Sequence, residues 1–170
     1  MNVQEFYNQN PFPGPYSIGQ LINYNVKNNT YVNLIDQYLT NNQKVLDVGC
    51  GTGLLTNLFA LKYNSKFVGI DFSVGADYAR EFAKTNSITN TKFIKQDFFE
   101  YETLDKFDVI ICQSVITHIP NYVDAVDKLK DLLAPNGVLI VGVYNNWGNR
   151  VKKLMSVNYG NARLALDQTA

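Results

Sequence analysis

Apolar residues along the middle of the chain follow two alternating patterns. Short, almost wholly apolar runs recur as they do in buried parallel strands, and between them apolar residues repeat at the three- and four-residue spacing of amphipathic helices. The predicted strands are Val45–Val48, Lys66–Asp71, Thr91–Gln96, Phe107–Gln113 and Val138–Val143. Strands that alternate with helices in this way predict an α/β fold with a doubly wound parallel sheet.

The beginning of the chain has a different pattern. Pro11, Pro13 and Pro15 predict an extended lead-in, because proline fixes its own backbone and disfavours a helix before it. Ser17 is placed to cap the first of two helices that follow. Residues 1–40 are therefore predicted to form a lead-in and a helical cap.

The end of the chain also departs from the strand–helix alternation. Residues 41–145 form the predicted core domain, and residues 146–170, which include the basic stretch Lys152–Leu154, are predicted as a helical tail. Trp147 is expected either to line a substrate pocket or to pack. No sixth or seventh strand is evident after Val143, so either the tail is remodelled or the chain is a fragment, and a fragment would expose the fifth strand as an edge.

A glycine-rich turn joins the first predicted strand to the next helix, and it reads Asp47-x-Gly49-x-Gly51-x-Gly53. Glycines leave the turn without Cβ atoms, so a ligand can touch its backbone, and the free N–H groups of the following helix face the same spot. A dinucleotide fingerprint would need its third glycine where Leu54 stands. The pattern instead resembles motif I of class I S-adenosylmethionine-dependent methyltransferases. The alternative is a bare turn that holds no ligand.

The resemblance implies a Rossmann-like sheet of strand order 3-2-1-4-5 and S-adenosylmethionine as cofactor. In that family the glycine turn holds the methionine part of the cofactor. The resemblance implies that Asp71 holds the ribose and that Asp97 and Phe98 hold the adenine, and the ring of Phe72 would lie against the purine. Asp71 has the alternative of capping a helix, and Asp97 that of an ordinary turn residue. The expected cofactor-binding residues are Asp47, Gly49, Cys50, Gly51, Gly53, Asp71, Phe72, Asp97, Phe98 and Gln113.

The segment after the fourth predicted strand carries the candidate catalytic chemistry. Gln113–Pro120 resembles the small-molecule, ubiquinone-biosynthesis-type subgroup of these methyltransferases, and it should lie near the reacting methyl group. His118, the only histidine, is the candidate general base, with a structural hydrogen bond as the alternative. Tyr16 and Tyr24 are expected either to cover the cofactor or to pack helices on the sheet. The resemblance thus implies in-line methyl transfer to a small molecule.

Composition narrows the function further. The formal net charge is +0, so the chain lacks the basic surface expected of a protein that binds duplex nucleic acid. No apolar run is long enough to predict a membrane span, and no signal-peptide pattern is present, which favours the cytoplasm. Cys50 and Cys112 do not suffice for a disulfide framework or, with one histidine, for a zinc site. No metal is expected.

The absence of several sequence motifs argues against other functions. The chain lacks the Asp/Asn-Pro-Pro-Tyr/Phe signature of DNA amino-group methylases, the Pro-Cys nucleophile of cytosine-carbon methylases and a phosphate-binding Walker A loop. Two other functions stay open, a nicotinamide-dependent oxidoreductase and a non-catalytic module that binds S-adenosylmethionine. The sequence does not indicate the acceptor, the oligomeric state, or whether the chain is a fragment.

Overall fold

The computed structural model describes residues 2–24, 29–144, 152–155, 158–159 and 162–164. Its helices are α1 Val3–Gln9, α2 Ile18–Ile22, α3 Thr30–Asp36, α4 Leu54–Lys62, α5 Gly75–Thr85 and α6 Tyr122–Leu132. Its strands are β1 Lys44–Val48, β2 Lys66–Asp71, β3 Thr91–Lys95, β4 Phe107–Gln113, β5 Leu133–Tyr144, β6 Lys152–Met155, β7 Asn158–Tyr159 and β8 Ala162–Leu164. Short 3-10 helices span Phe98–Glu100 and Ile116–His118.

The first five strands form a parallel sheet in the order β3-β2-β1-β4-β5, which confirms the predicted doubly wound fold. Successive side chains of a strand point to opposite faces, so neighbouring residues enter different cores. Val45 and Ile111 belong to the cluster that packs beneath α3, α4 and α5, whereas Leu46 and Ile110 belong to the cluster beneath α6. Burial on both faces explains why these strands are almost wholly apolar.

Three short helices precede the sheet, and the first of them is absent from the sequence prediction. The Asn2 side chain accepts from the N–H of Glu5, whose carboxylate accepts from the N–H of Asn2, and this reciprocal cap starts α1. Ser17 caps α2 as predicted, together with Gln20. Among the helices in the described part of the chain, none has the length and apolar character needed to span a membrane.

The predicted helical tail is wrong where the structure describes it. β6 pairs antiparallel with the upper half of β5, from Val141 to Tyr144, and β8 pairs parallel with Val138 and Leu139. Because β4 occupies only one side of β5, the other side offers unpaired N–H and C=O groups, and pairing with them outweighs a weak local helical pattern. The sequence did not reveal these further strands, which pair with the side of β5 that β4 leaves open. Trp147 lies outside the described residues.

Candidate cofactor and active site

A cavity of about 470 Å³ lies at the carboxyl ends of β1, β2 and β4, within the range of about 300–1,000 Å³ that is usual for small-molecule sites. This is the edge at which doubly wound sheets bind their ligands. Its wall includes nine of the ten expected cofactor-binding residues and the expected base, namely Asp47, Gly49, Cys50, Gly51, Asp71, Phe72, Asp97, Phe98, Gln113 and His118. Residues far apart in the sequence therefore converge on one space.

The glycine turn is built so closely that side chains are excluded from it. Gly49 and Gly51 have φ values of +71° and +53°, in the left-handed region that favours glycine. A Cβ atom at Gly49 would lie 2.1 Å from Cγ2 of Val115, and one at Gly51 would lie 2.2 Å from the carbonyl oxygen of Phe12. The bare surface predicted from the sequence is present, but other parts of the chain press closely on it.

The backbone amides of the turn are already used inside the protein. The N–H groups of Gly49 and Cys50 donate to the carbonyl of Ile70, and that of Gly51 donates to Oδ2 of Asp71. At these three positions the turn offers a ligand a close backbone surface and no spare donors. The first residues of the following helix, Leu54 and Leu55, also line the cavity.

Gly53 is the one expected cofactor residue that does not line the cavity. A Cβ atom there would lie 2.6 Å from Cβ of Ala79 and 3.0 Å from the ring of Phe93. The third glycine of the pattern therefore lets α4 pack against α5 and β3. The three glycines of the pattern therefore have two roles. Gly49 and Gly51 shape the cavity, and Gly53 allows the close packing of the helix behind it.

Asp47 lies beneath the turn and is 3% exposed. Its Oδ2 accepts a hydrogen bond of 2.5 Å from Oγ1 of Thr56. Burial raises the pKa of the Asp47 carboxyl to about 6, and the nearby Asp71 carboxylate raises it further, whereas the Thr56 hydroxyl lowers it. A positive group in the cavity would favour the ionised form of this carboxyl.

Asp71, at the end of β2, links the turn to the next helix. Its Oδ1 accepts from the N–H and the hydroxyl of Ser73 at 2.8 and 2.6 Å, and its Oδ2 accepts from the N–H of Gly51 at 2.9 Å. A carboxylate oxygen can accept two hydrogen bonds, so Oδ2 keeps one position for a ligand hydroxyl. Capping and ligand binding, which the sequence left as alternatives, are therefore compatible.

The end of β3 adds another acidic residue to the cavity wall. Asp97 is exposed, and its Oδ1 accepts from the N–H of Phe99 at 2.8 Å, which starts the short helix there. The Phe98 ring is buried, and Nζ of Lys128 lies 5.4 Å from its centre. The ring of Phe99 is 43% exposed and the residue lines the cavity, a contribution that the sequence did not reveal.

The N-terminal segment forms a roof over the cavity, and the sequence predicted a cap from residues 1–40 but not the residues that form it. Val3, Tyr7, Phe12 and Pro13 line the space. The capping pair of Asn2 and Glu5 could have predicted α1, but no local signal says where this helix docks.

Hydrogen bonds and a ring contact fix that roof at both sides of the cavity. Nε2 of Gln4 donates to the carbonyl of Phe72 at 2.8 Å, and Oδ1 of Asn8 accepts from the N–H of Val74 at 2.9 Å. On the opposite side Tyr7 contacts the ring of His118 edge to face, with ring centres 6.3 Å apart. The roof thus bridges the end of β2 and the segment after β4.

The two tyrosines expected to cover the cofactor have separate places. The Tyr16 hydroxyl donates to the carbonyl of Thr52 at 3.1 Å and accepts from Nδ2 of Asn57 at 3.0 Å, and Tyr16 is not part of the cavity wall. It anchors the lead-in to α4, so the packing alternative holds for it. Tyr24 does line the cavity, and its hydroxyl accepts from Nδ2 of Asn29.

The segment after β4 carries His118 at the cavity mouth. Ser114 has a φ of +61°, which is uncommon for a residue other than glycine and directs the chain sharply out of the strand. The 3-10 helix Ile116–His118 follows, and the His118 side chain is exposed where the helix ends. The position suits a group that exchanges a proton with solvent.

The charges on the cavity wall are one-sided. Asp47, Asp71 and Asp97 are its acidic members, and among the described residues that line it there is no lysine or arginine. No cluster of metal-ligating side chains occurs in the described part of the chain. Cys50 and Cys112 are free and buried, and burial raises the pKa of both thiols, so neither is an activated nucleophile. The wall therefore favours a cationic or neutral ligand.

Residues 39–167 match the model of a family described as "Methyltransferase domain". The chain is 36% identical over 109 residues to a ubiquinone biosynthesis O-methyltransferase of Actinobacillus pleuropneumoniae, a stretch that covers 61% of this chain and 46% of that relative. The chain thus spans less than half the length of this relative.

Solved structures have the same fold. A coclaurine N-methyltransferase bound to N-methylheliamine and SAH superposes with a TM-score of 0.61 at 26% identity, over 66% of this chain and 36% of that chain. A SAM-dependent methyltransferase from Thiobacillus denitrificans in complex with S-adenosylhomocysteine gives a TM-score of 0.63 at 22% identity, over 84% of this chain and 56% of that chain. The latter likeness shows the fold alone.

Proposed function

The chain belongs to the methyltransferase domain family, and we propose that it transfers a methyl group from S-adenosylmethionine to a small molecule. The observation that carries this proposal is the cavity itself, which combines a side-chain-free turn with three carboxylates and, among its described residues, no lysine or arginine. S-adenosylmethionine carries a sulfonium, an ammonium and a carboxylate group, so its net charge is positive and an acidic wall complements that net charge. The methionine part of the cofactor also requires the close approach to the backbone that the glycines allow.

The residues of the wall would hold different parts of this cofactor. Gly49, Cys50 and Gly51 would contact the methionine part, with Asp47 beneath them attracting its positive charge. On the β2 side Asp71 would accept a ribose hydroxyl on the open position of its Oδ2. At the ends of β2 and β3, Phe72, Asp97 and Phe98 would surround the adenine.

The strand order assigns the two halves of the cavity. β2 and β3, which end in Asp71 and Asp97, lie on one side of β1, whereas β4 lies on the other side. A cofactor that extends from β1 towards β3 leaves the β4 side for the acceptor. When bound, S-adenosylmethionine would supply an electrophilic methyl carbon attached to a positive sulfur. The sulfur would keep the electron pair of the C–S bond when the acceptor atom bonds to that carbon.

His118 would take the proton that an acceptor hydroxyl loses, and its exposure at the mouth lets it pass that proton to solvent. Tyr7, in contact with its ring, would hold the imidazole in place. Replacing His118 by Gln should lower turnover at least about 100-fold while S-adenosylhomocysteine still binds, because general-base catalysis contributes about 10²–10⁴-fold. A turnover near the wild-type value would exclude this role.

The acceptor should be uncharged or cationic and largely apolar. Tyr7, Tyr24 and Phe99 contribute aromatic surface to the cavity, while the described wall offers no cation to pair with a carboxylate. Burying an unpaired carboxylate beside three others would be strongly unfavourable. A small molecule with a neutral aromatic or aliphatic body fits this wall, and a location in the cytoplasm fits such a substrate.

Calorimetry with S-adenosylhomocysteine, followed by transfer of labelled methyl groups to a small-molecule extract, tests the proposal. Binding with label appearing in a neutral or cationic compound is the expected result. A protein that prefers NADH to S-adenosylhomocysteine would contradict it. Binding without transfer would favour the non-catalytic module.

A further inference from the structure

Resting on this proposed methyl transfer, we propose that Gln4 and Asn8 are positioning residues that fasten the roof over the cofactor half of the cavity, and that the cofactor enters and leaves only when the roof lifts. The hydrogen bonds of these two side chains set how often the roof opens. They therefore control the rate of cofactor exchange, although both residues lie outside the family match, which begins at position 39.

Gln4 and Asn8 attach the roof to the segment that follows β2. Nε2 of Gln4 donates to the carbonyl of Phe72 at 2.8 Å, and Oδ1 of Asn8 accepts from the N–H of Val74 at 2.9 Å. The two side chains are one helical turn apart in α1, so they leave the helix on the same face. They hold the residues on either side of Ser73, which donates twice to the carboxylate expected to bind the ribose.

The other end of the roof is attached at the glycine turn. The carbonyl of Phe12 accepts from the N–H of Thr52 at 3.0 Å, and Oγ1 of Thr52 donates to the carbonyl of Gly14 at 3.2 Å. The same Phe12 carbonyl is the group that a Cβ atom at Gly51 would strike. A cofactor that extends from the glycine turn to the end of β2 would therefore lie beneath a segment that is attached at both of its ends.

α1 is the part of the roof that can lift. It has 7 residues, none of which is buried, and a helix of this length is not stable alone in water. Because α1 buries so little, its docking depends on the two hydrogen bonds and on the ring contact between Tyr7 and His118, and elements held in this way open at a low cost in free energy. The segment after β2 is continuous with a central strand and with α5, so breaking these bonds frees α1 rather than the segment.

An opening equilibrium of the roof acts on both directions of cofactor exchange. When a ligand passes only through the open form, its association rate and its dissociation rate are each proportional to the population of that form. Their ratio, the dissociation constant, changes little as long as the closed form dominates. A residue that only shaped the cofactor site would instead raise the dissociation rate alone and weaken the affinity.

The test measures both rates for S-adenosylhomocysteine on the whole chain. Rapid mixing with the tritiated compound gives the association rate, and its release into an excess of the unlabelled compound gives the dissociation rate. A double variant, Gln4→Ala with Asn8→Ala, should raise both rates by the same factor of at least about tenfold, because each hydrogen bond contributes about three- to tenfold. Its dissociation constant should stay within about twofold of the wild-type value.

Two further variants of α1 serve as controls. Gln9→Ala removes an exposed side chain that lies outside the cavity wall, and it should leave both rates unchanged. Asn8→Ala alone should raise both rates about three- to tenfold, whereas Asn8→Asp keeps an oxygen that accepts from the N–H of Val74 and should keep both rates near the wild-type values. Thermal unfolding should differ little among these variants, because α1 contributes no buried residue to the core.

The outcomes separate this proposal from the proposed function. Unchanged rates in the double variant would overturn the inference and leave the methyltransferase proposal standing. Faster dissociation with an unchanged association rate would also overturn it, because Gln4 and Asn8 would then shape the site rather than close it. Equal effects in Gln9→Ala would show a general loosening of α1 and would contradict the role of the two hydrogen bonds. A wild type that binds no S-adenosylhomocysteine would defeat the proposed function itself.

Discussion

The two halves of the cavity differ in how fully their polar groups are hydrogen-bonded within the protein. On the β1–β2 side the polar groups have internal partners, since Asp71 accepts three hydrogen bonds and Asp47 accepts one from Thr56. On the β4–β5 side Gln113 keeps an amide oxygen that nothing in the structure satisfies. A half whose polar groups already have internal partners suits a ligand of constant shape, such as a cofactor.

The largest expected loss of cofactor affinity comes from adding a side chain to the glycine turn on the β1–β2 side. Gly51→Ala should lower the affinity for S-adenosylhomocysteine at least about 100-fold, because the new Cβ would strike the Phe12 carbonyl and a left-handed alanine costs about 1–2 kcal/mol. Calorimetry measures the affinity, and thermal unfolding measures the stability.

Gly19 provides the matched control for this change. It lies in α2, and the nearest atom to an added Cβ would be Oγ of Ser17 at 3.9 Å. Gly19→Ala should keep the affinity and slightly stabilise the protein, because alanine favours a helix by about 1 kcal/mol over glycine. Equal losses in both variants would show that the turn has no special role.

A second change removes the link between the turn and β2. Asp71→Ala should weaken S-adenosylhomocysteine binding by about 1–3 kcal/mol, since it loses a charged hydrogen bond to the ribose and releases the N–H of Gly51. Calorimetry reads the effect directly. Asp77→Ala is the control, because Asp77 is a partly exposed residue of α5 that pairs with Arg80 and Lys95 outside the cavity wall. An unchanged affinity in Asp71→Ala would argue against the ribose assignment.

The last expected effect concerns stability rather than affinity, through its dependence on pH. The pKa of Asp47 is raised from 3.8 to about 6, so the folded state binds this proton more tightly than the unfolded chain. The free energy of unfolding should therefore fall as pH rises from 3.8 to about 6 and then level off. Asp47→Asn should lack this fall and gain about 3 kcal/mol over the wild type above that range, measured by urea unfolding.

Asp105 gives a control of opposite sign. It is exposed, and its ion pair with Lys44 lowers the pKa of its carboxyl, so it stabilises the fold above its usual pKa and not below it. Asp105→Asn should be slightly less stable than the wild type at neutral pH and equal to it in acid. If Asp47→Asn followed that pattern, the burial of Asp47 would not be the cause of its shift.

The sequence predicted what depends on local pattern and missed what depends on docking. Alternating burial makes strands such as Val45–Val48 recognisable, and Gly49 and Gly51 follow a spacing that a ligand-binding turn requires. The helical tail was mispredicted, because the pairing of Lys152–Met155 with β5 is decided by an edge distant in sequence. The roof and the place of Gln113 over Gly142 depend on tertiary contacts in the same way.

The site prediction shows the same division. Asp71 and the turn were identified from their positions after predicted strands, and Gly53 was included because the motif treats all its glycines alike. The structure separates them, since a Cβ at Gly53 would meet Ala79 and Phe93 behind the cavity. Spacing alone cannot distinguish a glycine that admits a ligand from one that admits a helix.

The roof of Val3, Tyr7, Phe12 and Pro13 comes from residues that precede position 39, where the family match begins. Changes in this segment can alter which molecules enter and how long they stay without rebuilding the sheet beneath. Under the proposed function, a swap of this segment between related chains is expected to change substrate preference while the sheet beneath it stays the same.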